Sequence, residues 1–234
     1  MTLYKVGNNS PSEEIYLDSK INNYGDNFSD KYDHLLESYF NVALKINLPV
    51  DFLIFINNGI AMFGQNFIDE TIKPAISKEG YVNLHKISSK PEYKGFGIPV
   101  ALLNEFLQSF DDVNPFIVFN EGNYLWERYF EIVRMKIFPT LPNRKECLFF
   151  FDNIEDCNYY INKHRAGYGT IYQVEILEAE TLIKRDMKII DDISLSVSYN
   201  NLIKTIYNYW DEDYSDSPII EYLFKGKCKL KPLY

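Results

Sequence analysis

The stretch Tyr209-Trp210-Asp211-Glu212-Asp213-Tyr214-Ser215-Asp216-Ser217-Pro218-Ile219-Ile220-Glu221-Tyr222-Leu223-Phe224-Lys225-Gly226 decides how this chain is read. An aromatic pair leads into a polar, acidic loop that ends at Ser217-Pro218, and an apolar run follows at once. The expected element is a strand from Ile219 to Phe224, a turn at Gly226, and a final strand to Leu230. Glu221 stands where the apolar run begins. A carboxylate in that place can face a cleft while the residues after it anchor in a core, so Glu221 is the first candidate site residue.

Lys225, Lys227, Lys229 and Lys231 alternate just beyond. In a strand they share one face, either as a basic strip or as lysines guarding an edge. Upstream, Ser198 can cap a helix bearing Tyr199, Leu202, Ile203, Ile206 and Tyr209. Thr170 to Leu177 reads as a strand entered through Gly167 and Gly169. Leu148-Phe149-Phe150-Phe151 reads as a buried strand, and Asp152-Asn153-Ile154-Glu155 resembles a capping box for a helix with Ile154, Cys157 and Ile161 on one side. Trp126, Tyr129, Phe130, Val133 and Ile137 recur at helical spacing until Pro139 stops them.

Near the start, Leu3 to Val6 form a strand closed by Gly7-Asn8-Asn9-Ser10-Pro11, and Ser29-Asp30 offers an N-cap for a helix through Leu35, Leu36, Tyr39, Phe40 and Ala43. Residues 45–120 carry little pattern. A helix from Val100 to Phe110 and a strand from Pro115 to Phe119 are expected there, within a mostly helical insertion. Strands and helices mix without βαβ alternation, which favours an α+β fold over residues 1–234 as a single domain.

With 234 residues, 46% of them hydrophobic and 16% aromatic, the chain can bury a real core. Its formal net charge of −9 disfavours broad binding to nucleic acid. Cys147, Cys157 and Cys228 have neither a disulfide pattern nor metal-ligand spacing and are expected as buried thiols. The start lacks a signal pattern, and Leu48 to Phe63 is too short and too polar to span a bilayer. A soluble, cytoplasmic protein without membrane attachment is therefore expected. No Walker motif, paired zinc cysteines or G-x-S-x-G elbow occurs, the histidines His34, His85 and His164 lack metal spacing, and no metal is expected.

Leu3-Tyr4-Lys5-Val6, Phe130-Glu131-Ile132-Val133-Arg134, Leu141-Pro142-Asn143-Arg144-Lys145-Glu146-Cys147-Leu148-Phe149, Tyr209-Trp210 and Ile220-Glu221-Tyr222-Leu223-Phe224-Lys225-Gly226 occur in an order that resembles the DUF2441 family of bacterial proteins. The resemblance covers the first strand and most of the second half. It implies an ADP-ribosyltransferase-like architecture: a mixed or antiparallel β core, flanking helices and the helical insertion. It also implies NAD as substrate, with ADP-ribose transferred or hydrolysed and a protein or nucleic acid as acceptor. ADP-ribosyltransferases use a glutamate in the position of Glu221.

Cleaving the nicotinamide–ribose bond leaves an oxocarbenium-like sugar, which a fixed carboxylate stabilises. That role falls to Glu221. Arg144 could clamp the pyrophosphate, or pair with a surface acid. Tyr4, Tyr209 and Trp210 could wall the pocket against the rings, or be core aromatics. Lys5 stands where the family commonly has His, the residue that would help hold NAD, and Asn143 where it commonly has Ser. These departures, and the lack of a Ser-Thr-Ser strand, motivate a rival reading as a non-catalytic binding module on the same fold. A toxin or phage-defence effector that modifies nucleic acid is a third reading. Arg134 is expected in a structural ion pair.

Overall fold

A computed structural model describes residues 1–8, 14–27, 30–193 and 198–233. The expected turn at residues 9–11 and the expected cap at Ser29 lie outside the described residues. Among the described residues there are seven strands: β1 (Leu3–Gly7), β2 (Ile15–Asp18), β3 (Tyr81–Asn83), β4 (Gly97–Pro99), β5 (Leu148–Phe151), β6 (Thr170–Asp186) and β7 (Ile220–Pro232). The fold is α+β with antiparallel sheets. No described helix is long and apolar enough to cross a membrane. The chain divides into two compact units, residues 1–29, 129–192 and 204–234 in the first and residues 30–128 and 193–203 in the second.

In the first unit the strand pairings close on themselves. β1 pairs with β5, β5 with β7, β7 with β6, and β6 with β1, all antiparallel, while β2 adds to the C-terminal half of β7. Alternate residues of these strands meet in one core of Leu3, Leu148, Phe150, Tyr172, Val174, Phe224, Cys228 and Leu230. The opposite face of β1 and β5 packs Val6 and Phe151 against Cys157 and Ile161 of the helix Ile154–His164. Closure satisfies backbone groups that an open sheet leaves at its edges.

Three expectations for this unit change. β6 runs on to Asp186 instead of ending at Leu177, because Glu178 to Lys184 keep pairing with β7 across two register shifts although that segment lacks an apolar alternation. β7 is one strand, not two. Gly226 lies inside it at φ 140°, where an added Cβ would meet the Glu178 carbonyl oxygen at 2.0 Å. The helix Ile154–His164 is capped by Asn153, whose side chain accepts from the Asp156 N–H at 2.7 Å, rather than by Asp152.

The segment between β6 and β7 is tied down by the buried Asp186. Its carboxylate accepts from Lys188 N (2.9 Å), Ile219 N (2.9 Å), Ser215 N (2.8 Å) and Ser215 Oγ (2.6 Å). Asp186→Ala is expected to cost about 2–3 kcal/mol, since several buried donors lose a charged acceptor together. A urea midpoint and faster amide exchange at Ser215 and Ile219 measure this; unchanged protection there contradicts it.

The second unit is largely helical, with helices Asp33–Ile46, Val50–Phe63 and Val100–Gln108 and the two-stranded ribbon of β3 and β4. Leu35, Leu36, Tyr39, Phe52, Leu53, Ile56 and Phe106 are buried. Residues Pro115 to Phe119 are not a strand. Their backbone is held by side chains instead: Asn58 both donates to the Phe119 carbonyl and accepts from its N–H, each at 2.8 Å, and Asn57 donates to the Ile117 carbonyl at 2.8 Å. Asparagine side chains here do the work of a neighbouring strand.

Candidate functional site

Cα partners across an antiparallel pair put their side chains on the same face. Arg185 of β6 is opposite Glu221 of β7, Glu221 is opposite Phe151 of β5, and Phe151 is opposite Tyr4 of β1. Arg185, Glu221, Phe151 and Tyr4 therefore form one row across the sheet, with Tyr4 two strands, or roughly 10 Å, from Glu221. Lys5 is the next residue along β1 and faces the other way. Its Nζ is 3.5 Å from the Phe149 carbonyl oxygen and 5.9 Å from the centre of the Phe150 ring.

Glu221 is buried, with 3% of its surface exposed. Its Oε1 accepts from Arg144 Nη1 at 2.7 Å and from the Tyr209 hydroxyl at 2.7 Å. Arg144 also donates to the Tyr209 hydroxyl, which closes a three-membered cluster. The short 3₁₀ turn Arg144–Glu146 presents the arginine just before β5. Asn143 caps that turn by accepting from Lys145 N at 2.9 Å.

Rings enclose the guanidinium: its carbon is 4.8 Å from the centre of Phe149, 5.0 Å from Tyr209 and 5.3 Å from Phe130. Trp210 packs edge-on to Tyr209 at 5.1 Å and donates its indole N–H to the Phe130 carbonyl at 3.0 Å. Such a dry, aromatic surrounding strengthens each charge–charge contact inside it. Beside Arg144, burial pushes the Cys147 thiol up to about 12, which leaves it an inert core group.

Four of the candidate residues are thus brought together: Glu221, Arg144, Tyr209 and Trp210. Tyr4 lies in the same row of the sheet, and Lys5 lies on the opposite face. Arg134 makes the expected ion pair, with Glu131 at 2.7 Å. Sequence reasoning missed Arg185, Phe130 and Phe149. Arg185 sits between Lys184 and Asp186, beyond the expected end of the strand at Leu177, and only its register against Glu221 marks it.

The alternating lysines of β7 are each neutralised. Lys225 pairs with Glu146 (2.7 Å), Lys227 with Glu178 (2.8 Å), Lys229 with Glu14, and Lys231 with Glu175 (2.8 Å). The strip alternates in sign and gives no basic groove. In the second unit, cavities of 390 and 560 Å³ are lined by residues such as Lys45, Glu105, Lys31 and His34, and by none of the candidates. Among the described residues, no group of three or more His, Cys, Asp or Glu could hold a metal ion.

Loss of water around Lys5 lowers its pKa from 10.5 to about 8, Cys228 opposing and Arg165 adding to the shift. The folded state therefore disfavours the charged amine. Below about pH 8 the amine is charged in both states and the cost of burial is complete. It fades from pH 8 to 10.5, where the folded chain holds Lys5 neutral and the unfolded chain does not. Lys5→Met is expected to raise stability by about 1–2 kcal/mol at pH 7, discounted for partial exposure. The difference from the parent, followed by urea unfolding, should narrow as pH approaches 10.5. A pH-independent difference rules out this account.

These features define an α+β protein whose closed antiparallel sheet carries an arginine–glutamate–tyrosine cluster under aromatic cover. A family model described as "Protein of unknown function (DUF2441)" matches residues 103–231, more than half of the chain, and the chain belongs to that family. No curated protein matches it. The matched span contains Arg144, Arg185, Tyr209, Trp210 and Glu221 and begins after Tyr4 and Lys5.

Proposed function

We propose that this is an NAD-binding protein of ADP-ribosyltransferase-like architecture that transfers ADP-ribose to a protein or nucleic-acid acceptor, or hydrolyses it. The observation that carries the reading is the setting of Glu221: a carboxylate at the start of a strand, fixed through one oxygen by Arg144 and Tyr209 in an aromatic enclosure. A positioned carboxylate of this kind stabilises the electron-poor sugar formed as nicotinamide departs. In this reading Arg144 turns from the carboxylate to the pyrophosphate when NAD enters, while Tyr4, Tyr209 and Trp210 supply ring faces. Glu221→Gln keeps the shape and an acceptor oxygen but removes the charge. The expected result is a loss of NAD turnover of 100-fold or more, on the order of one missing electrostatic contact to the transition state, with the melting temperature checked in parallel. Equal turnover in parent and variant overturns the reading.

A second reading, a non-catalytic binding module, is favoured by the same residue's burial. Glu221 is already engaged by two donors and has little surface left for a ligand. Thermal shift separates the two readings. A site for NAD is stabilised by NAD or ADP-ribose in proportion to ln(1 + [L]/Kd), and a module for another ligand is not.

A further inference from the structure

Arg185 is buried, with 1% of its surface exposed, yet the acid that neutralises it is not. Its Nη1 donates to the Lys184 carbonyl at 2.6 Å and to Glu212 Oε1 at 2.9 Å, and the Glu212 side chain is 58% exposed. The buried carboxylate opposite Arg185 in the sheet, Glu221, gives its Oε1 to Arg144 and Tyr209. Nε of Arg185 is buried and has no hydrogen-bond partner among the described residues. The Trp210 ring lies 5.9 Å from the guanidinium carbon. A fully buried arginine with a spare donor and a solvated counter-charge is an unusual arrangement, because buried charges are ordinarily paired with buried partners.

Glu212 reaches Arg185 from a backbone of φ 63°, a left-handed conformation that disfavours a glutamate. Beyond it, Asp186 anchors Ser215 and Ile219, so the turn at residues 211–214 is held at its far end while its tip carries the carboxylate. We propose that Arg185 is the anchor of an oxyanion-binding site and that Glu212 occupies it as an internal stand-in, displaced when a phosphate-bearing ligand arrives. The guanidinium fork, with Nε free, suits two oxygens of a phosphate better than the single-nitrogen contact it now makes. The site does not depend on NAD being the ligand. Under that reading, though, it receives a phosphate of the dinucleotide.

Titration calorimetry with inorganic pyrophosphate, on the full chain, tests the proposal. Glu212→Gln removes the competing charge and should tighten binding about tenfold relative to the parent, which is about 1.4 kcal/mol. Asp213→Asn makes the same charge change in the same turn without touching Arg185, and should shift affinity by less than about twofold. Arg185→Lys in the Glu212→Gln background should abolish the gain. Equal affinities for Glu212→Gln and Asp213→Asn, or no binding by Glu212→Gln, overturn the proposal even where Arg185→Lys does not fold. ADP-ribose and acetate as further titrants separate a nucleotide phosphate from a simple carboxylate: tighter binding of acetate than of pyrophosphate also overturns it. NAD turnover and its loss in Glu221→Gln are read independently, so either idea can fail while the other stands.

Discussion

Replacing Glu221 with leucine is expected to lower the unfolding free energy by about 3–5 kcal/mol, because Arg144 stays behind as a buried charge without its acid. The side chains of Arg144 and Glu221 are 8% and 3% exposed, so water cannot take over the lost contact without opening the structure. Removing both charges gives a different result. Arg144→Met with Glu221→Leu fills similar volume with apolar groups among Phe130, Phe149 and Tyr209, and should recover most of the loss. A double-mutant cycle by urea denaturation reads the coupling directly, and additivity within about 0.5 kcal/mol would show that the pair does not hold the site together. The cycle also informs the functional reading, since a stable double variant that has lost NAD turnover assigns the loss to chemistry and not to unfolding.

Gly226→Ala is the second large effect. Its φ of 140° is one that side chains rarely adopt, and the new Cβ would sit 2.0 Å from the Glu178 carbonyl oxygen, a backbone atom that no rotamer change can move. Ser19, itself buried, brackets the same residue: its N–H donates to the Gly226 carbonyl at 3.0 Å, and its hydroxyl accepts from the Gly226 N–H at 2.9 Å. Relief by a backbone shift therefore breaks the pairing of β7 with β6 and the link to the end of β2. More than about 3 kcal/mol of stability should go, with most soluble protein lost on expression. Gly122→Ala is the control. No atom lies within 4 Å of its added Cβ, and it should leave the melting temperature within about 2 °C of the parent.

Much of the first unit was legible because its elements announce themselves locally. Leu148 to Phe151 is uniformly apolar, the helix ending at Ile137 has a clear 3.6 period before Pro139, and the apolar run after Pro218 marks the opening of β7. The second half of β6 was illegible for a physical reason. Its residues Glu178 to Thr181 hold their place through a neighbouring strand and ion pairs such as Lys227–Glu178, and neither leaves a pattern in the segment itself.

The site divides along the same line. Glu221, Arg144, Tyr209 and Trp210 could be named from local context, and their meeting depends on chain crossings that no short motif encodes. Arg185 joins them through register, and its one-residue offset from Lys184 decides which face it takes. Pro115 to Phe119 failed in the opposite sense, since an apolar run entered through a proline reads as a strand even when asparagine side chains supply its bonds.

The closed ring of strands also sets the order in which the molecule can be completed. β1 leaves the ribosome well before its partners β5 and β6, because residues 30–128 of the second unit are translated between them. Until then its Leu3 and Val6 have no sheet to join, and sealing the ring needs a long-range closure that is slow and late. Nascent chains of this protein should consequently recruit holdase chaperones through the unpaired β1 segment.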